Sequence, residues 1–136
     1  MGIKYLWDTN IAIYYLQQQF PPVAEQFIDF LLQEGSPVIS AITEIELLCW
    51  KAATERDLDI IHHFIRDAVV LELEQAIKIR TASLRKTHKI KIPDAIIAAS
   101  ALEYGLTLIS RNKADFTAIE GLNTINPWDQ DSLPHF

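Results

Sequence analysis

The run Leu106-Thr-Leu-Ile109 sits between a nearly all-apolar helical segment and a loop that turns abruptly polar. An apolar run this short suits a strand covered on both faces. Upstream, the stretch beginning at Ile92 reads as a helix. Pro93 suits the first helical position, where its missing N–H would be unpaired in any case. Asp94 follows at a position where the helix dipole favours an anion. From Ala95 to Leu102 the only polar residue is Ser100, so this helix is expected to be packed on most sides. Gly105 can end it in a left-handed cap. Downstream come Ser110, Arg111, Asn112, Lys113 and Asp115. A largely buried helix leading by a tight turn into a doubly covered strand calls for layers of helix on both sides of a sheet.

The rest of the chain repeats the alternation. Ile3 to Trp7, Pro37 to Ile39, Val69 to Leu71 and Leu122 to Ile125 read as short strands. Between them, helices are expected at Ile11–Gln18, Val23–Gln33, Ala41–Thr54, Leu58–Arg66 and Leu73–Thr87, and the tail from Trp128 reads as loop. The expected fold is α/β, a three-layer Rossmann-like arrangement with a central parallel sheet flanked by helices. A chain of 136 residues without repeat, linker or low-complexity segment is expected to form one domain, 1–136.

Several function classes drop out. Glycines occur only at 2, 35, 105 and 121, so no GxxxxGK[ST], GxGxxG or GxSxG motif exists. The histidines at 62, 63, 88 and 135 lack zinc-site spacing, and the single Cys49 precludes a CxxC pair or an internal disulfide. No apolar run approaches a membrane span, and MGIKYLWD lacks the core of a signal peptide, so a cytoplasmic location is expected. Net charge is −6, which opposes loose binding to nucleic acid. Yet six of the twelve Lys and Arg residues fall between Lys78 and Lys91 and lead directly into Asp94. Arg85, Lys86, Lys89, Lys91 and, beyond the last helix, Arg111 are candidates for contact with a polyanion.

The reactive inventory that remains is acidic. In parallel sheets, ligands sit outside the carboxyl ends of the strands. Asp8 lies just past the first strand, followed by Thr9 and Asn10, all three possible helix N-caps. Asp115 lies past the Leu106–Ile109 strand. Asp94 begins the helix antiparallel to that strand, and so belongs at the same edge. Taken singly, each acid serves equally well as a cap or a surface residue. For the helix from Ala41 the choice is between Glu44 and Glu46. At 100° per residue Glu46 falls within the arc of Ile42, Ile45, Cys49, Ala52 and Ala53, and Glu44 falls opposite. A carboxylate on an apolar face must be paired, protonated or bound to a cation. Asp8, Glu46, Asp94 and Asp115 would therefore converge. Ionised together they repel, and a hard divalent cation with oxygen ligands relieves that repulsion while activating water for phosphoryl displacement.

The segments DTNI at 8–11, SAITEIEL at 40–47, PDAIIAASALEYGLTLISRNKADF at 93–116 and INP at 125–127 resemble the PIN domain, most of all the small VapC-type ribonuclease toxins. The resemblance runs through nearly the whole chain, in order and spacing. It implies a Rossmann-like parallel sheet and an endoribonuclease site dependent on Mg²⁺ or Mn²⁺. Motif by motif, the family's acids fall on Asp8, Glu46, Asp94 and Asp115, as both catalytic and metal-binding residues. Its supporting polar positions fall on Asn10, Thr43, Ser110 and Asn112. Ser110 stands where the family often has threonine, and both carry a hydroxyl. The resemblance further implies an RNA substrate, a homodimer, and a small antitoxin whose C-terminal segment occupies the groove. A stand-alone PIN nuclease of RNA processing and a non-catalytic PIN-like RNA-binding domain share much of this pattern, although the intact acid set argues against the second. A phospho-receiver would need an acidic pair after the first strand. A haloacid-dehalogenase-type phosphatase would need DxD where DTN stands.

Overall fold

In the computed structural model, which describes residues 4–51 and 53–136, the strands are β1 (Tyr5–Trp7), β2 (Val38–Ser40), β3 (Val69–Leu71), β4 (Thr107–Ile109) and β5 (Thr124–Ile125). All pair in parallel, in the order β3-β2-β1-β4-β5. The helices are α1 (Thr9–Leu16), α2 (Pro22–Glu34), α3 (Ala41–Leu48), α4 (Glu55–Asp67), α5 (Gln75–Thr87) and α6 (Ile92–Tyr104). The expected strand start at Ile3 and the wheel position Ala52 lie outside the described residues.

Period-two alternation divides the core into two layers. Leu6, Val38 and Leu108 face one way and pack with Ile77 and Leu84 of α5 and the apolar body of α6. Trp7, Ile39 and Ile109 face the other way, onto Ile11 of α1, Phe27 of α2, Leu47 of α3 and Phe64 of α4. The register aligns these sets, with Leu6 beside Leu108 and Trp7 beside both Ile39 and Ile109. From Ala95 to Ala101 every residue of α6 is buried, as its composition requires. Ser100 is satisfied by donating to the Ile96 carbonyl at 2.8 Å. Gly105 closes α6 at φ 64°, and the Leu106 N–H reaches back to the Ala101 carbonyl at 2.8 Å.

Strand order reverses between β1 and β4, which leaves a crevice at their carboxyl ends. Asp8 follows β1 directly and Ser110 follows β4 directly. The helix expected over 41–54 ends at Leu48, with Cys49 as its C-cap. The next helix begins earlier than expected, because Thr54 and Asp57 form a reciprocal capping box. The tail contains a 3-10 turn at Gln130–Ser132, and its Trp128 packs edge-on against Tyr14 and Phe20, with ring centroids 4.9 and 5.5 Å apart.

Candidate active site

Asp8 anchors the crevice. As N-cap of α1, its Oδ1 accepts from the Ile11 N–H at 2.9 Å, and its own N–H donates to the Ile109 carbonyl at 3.1 Å. The carboxylate is only 6% exposed. Burial pushes its pKa up, against hydrogen bonds from Ser110 and Ile11. Asp94 and Glu46 push in the same direction as burial, and the result is a rise from 3.8 to about 6. Asp94 stands in the first turn of α6 and is half-buried. Its pKa is also raised, by burial first and then by Asp115 and Glu46, while Lys91 opposes. The N-cap of α6 is Lys91, which makes no side-chain cap bond, so Asp94 is not the capping residue.

Glu46 reaches this neighbourhood by a different route from the one its helical wheel implied. Within that arc, of the described residues only Ile42 packs against the core, whereas Ile45 is 55% exposed and Cys49 is also exposed, so most of its helical part faces outward. The buried residues of α3 are Thr43 and Leu47. Glu46 is exposed beside them and is oriented by Thr9, whose hydroxyl donates to Oε1 at 2.7 Å. The Thr9 and Thr43 hydroxyls lie 2.9 Å apart, and since Thr9 donates to Glu46, Thr43 donates to Thr9. Thr9 was readable only as a possible cap. The signal that could have singled it out is its place beside Asp8, facing the fully buried hydroxyl of Thr43.

Asp115 ends a 3-10 turn and accepts from Asn112 Nδ2 at 2.5 Å. Ser110 is fully buried, and its Oγ accepts the Asn112 N–H at 3.0 Å. Two of the expected supporting residues thus form a chain from β4 to the outermost acid. Asn10 is exposed in the first turn of α1 and is hydrogen-bonded to none of the four acids.

The basic residues divide. In α5, Arg80 pairs with Glu103 of α6 at 2.5 Å, and Arg85 donates to the Ile90 carbonyl at 2.7 Å, which fixes the turn into α6. Lys86, Lys89 and Lys91 remain exposed, and Lys91 is close enough to Asp94 to act on its charge. Arg111 is exposed and lies over the Trp128 ring.

None of the four acids takes part in an ion pair among the described residues. Nor are three acidic, His or Cys side chains drawn together there into a closed metal cage. A buried carboxylate with acidic neighbours and no paired cation, set in an open ring of oxygens, suits a hard ion that keeps most of its waters and takes one or two carboxylates directly.

Residues 5–122 match the PIN domain family. The chain is 29% identical over 130 residues to the tRNA(fMet)-specific endonuclease VapC of Shigella flexneri, covering 90% of this chain and 96% of that protein. It is 30% identical over 132 residues to Ribonuclease VapC2 of Haemophilus influenzae, covering 91% and 98%. Among solved structures, DNA-bound VapBC from Salmonella typhimurium superposes with a TM-score of 0.78 at 28% identity, over 93% of this chain and 99% of that one. With that five-stranded parallel sheet and a family match spanning most of its length, the chain belongs to the PIN-domain family, in its VapC branch.

Proposed function

We propose that residues 1–136 act as a single PIN domain, a divalent-metal-dependent endoribonuclease that is the toxin of a toxin–antitoxin pair. The observation that carries this reading is Asp8: a buried, uncompensated carboxylate at the crevice between β1 and β4, its pKa raised to about 6 with Asp94 and Glu46 among the causes. The ribonuclease names of the VapC relatives and the VapBC assembly of the structural neighbour support the substrate class and the antitoxin partner. Among the described residues no helix is long and apolar enough to cross a membrane, and we place the protein in the cytoplasm, as a homodimer.

Asp8, Glu46, Asp94 and Asp115 would hold Mg²⁺ or Mn²⁺. The bound ion would supply a water of lowered pKa and counter-charge for in-line displacement at phosphorus. The chain's own residues set the stage. Ile11 fixes Asp8, Thr9 fixes Glu46, and Asn112 fixes Asp115. The exposed Lys86, Lys89 and Lys91 offer charge to the phosphate backbone along the approach to Asp94. The test is incubation of purified protein with mixed RNAs in Mg²⁺, Mn²⁺ or EDTA. Cleavage is expected with metal and not in EDTA, and Asp94→Asn is expected to be inactive. Cleavage that persists in EDTA, or a fully active Asp94→Asn, overturns the reading.

A further inference from the structure

Arg111 follows Ser110, whose hydroxyl helps to lower the pKa of Asp8, and lies four positions before Asp115. An arginine so close to an acid cluster would be expected to pair with it, yet Arg111 forms no ion pair among the described residues. Instead its guanidinium carbon sits 4.6 Å from the Trp128 ring centroid and 5.8 Å from that of Tyr14. Its Nη1 donates to the Tyr14 hydroxyl at 3.2 Å. The bracket is itself braced. Phe20 packs on both rings, and the Trp128 N–H donates to Asn126 Oδ1 at 2.9 Å.

This arrangement has two effects. The aromatic rings hold the cation out of the acid pocket, which leaves the carboxylates free for a metal ion. They also order a planar fork whose other N–H groups have no partner among the described residues and are suited to bidentate capture of a phosphate. Trp128 packs against the layer that contains α1 and Tyr14 lies on α1 itself, whereas Lys86, Lys89 and Lys91 lie on α5 and the turn into α6, over the other layer. Positive charge therefore flanks the acids on both sides of the sheet.

We propose that Arg111, braced by Trp128 and Tyr14, is a phosphate subsite that grips the RNA strand on the α1 side of the acid pocket, opposite the lysines. Arg111 touches substrate; Trp128 and Tyr14 are positioning residues. This rests on the ribonuclease reading.

The test combines steady-state cleavage of an unfractionated tRNA preparation in Mg²⁺ with binding of a fluorescent single-stranded RNA in EDTA across a salt series. Arg111→Gln is expected to raise KM about tenfold, the scale of one charged hydrogen bond, with kcat little changed. It should flatten the log–log salt dependence by about 0.7, the value for one phosphate contact on a single strand. Arg111→Lys should keep the salt slope and recover KM only in part, because it restores the charge without the fork. Tyr14→Phe and Trp128→Phe, which keep their rings, should raise KM by smaller factors. If wild type cleaves while Arg111→Gln shows the same KM and salt slope, with only a lower melting temperature, Arg111 merely ties the tail to α1 and the subsite is wrong. Wild type that neither cleaves nor binds RNA overturns the ribonuclease reading and the subsite together.

Discussion

Asp8 carries a penalty in the metal-free protein that pH can expose. Its folded pKa, about 6, lies above the ordinary 3.8, so the folded state holds a proton that the unfolded chain has released. The associated stability is fully present below pH 3.8 and is lost as pH rises through 6. The gap corresponds to about 3 kcal/mol at most. Asparagine can still accept from the Ile11 N–H, so Asp8→Asn keeps the cap and drops the charge. In EDTA, the variant is expected to melt with wild type near pH 4 and several degrees higher above pH 7, as thermal scans would show. Parallel pH profiles would mean that burial of Asp8 carries no such cost. A second pair of substitutions tests the corrected account of α3. Glu46→Gln should abolish metal-dependent cleavage, while Glu44→Gln, which removes an acid outside the Thr9–Thr43 network, should leave it within about twofold of wild type. Equal loss in two folded variants would separate the Thr9 bond from function. Asp8 and Asp94 were legible in the sequence because one abuts a strand end and the other a helix start, and Asp115 because it falls in the polar loop that follows β4. The helical wheel selects Glu46 on grounds that the structure does not support: it equates apolar with buried, and α3 turns Ile45 and Cys49 outward.

The elements themselves were readable wherever local chemistry and packing agreed. β4 and α6 fall almost where the apolar run and Gly105 place them, since the buried sides of α6 and the αL cap leave little freedom. α4 starts at Glu55, earlier than its apolar pattern from Leu58 suggests, because Thr54 and Asp57 cap it reciprocally. Removing that cap by Thr54→Ala should cost about 1 kcal/mol, measured by denaturant melts, without altering RNA cleavage. The tail was harder to read. Trp128 packs on residues of α1 and α2's approach, Tyr14 and Phe20, more than a hundred positions away, and no periodicity announces such a contact.

Charge decides how the protein meets its ligands. A net charge of −6 opposes RNA overall, so binding must be carried by local groups. Neutralising Lys86, Lys89 and Lys91 together is expected to weaken RNA binding and to lower the salt slope by about 2, the sum for three single-strand phosphate contacts. Mg²⁺ binding, followed by calorimetry, should stay intact. An unchanged salt slope would assign these lysines to solvation. The proposed metal dependence is tested at the acids. At about 100 times its dissociation constant, Mg²⁺ should stabilise the wild type by roughly 2.7 kcal/mol. Asp94→Asn should gain less, and an equal gain would remove Asp94 from the ligand set.

Placing β1 at the centre of the sheet governs when activity can arise during synthesis. Asp8 is made long before its backbone partner Ile109 and before Ser110, which follows β4. Helices and the β1–β2–β3 half can begin to gather earlier, whereas the β1–β4 pairing must close a loop of most of the chain, a slow and late step. A product released before β4 has the first acid but no crevice. The nuclease is thus inert until the ribosome has made β4, beside the RNA on which that ribosome depends.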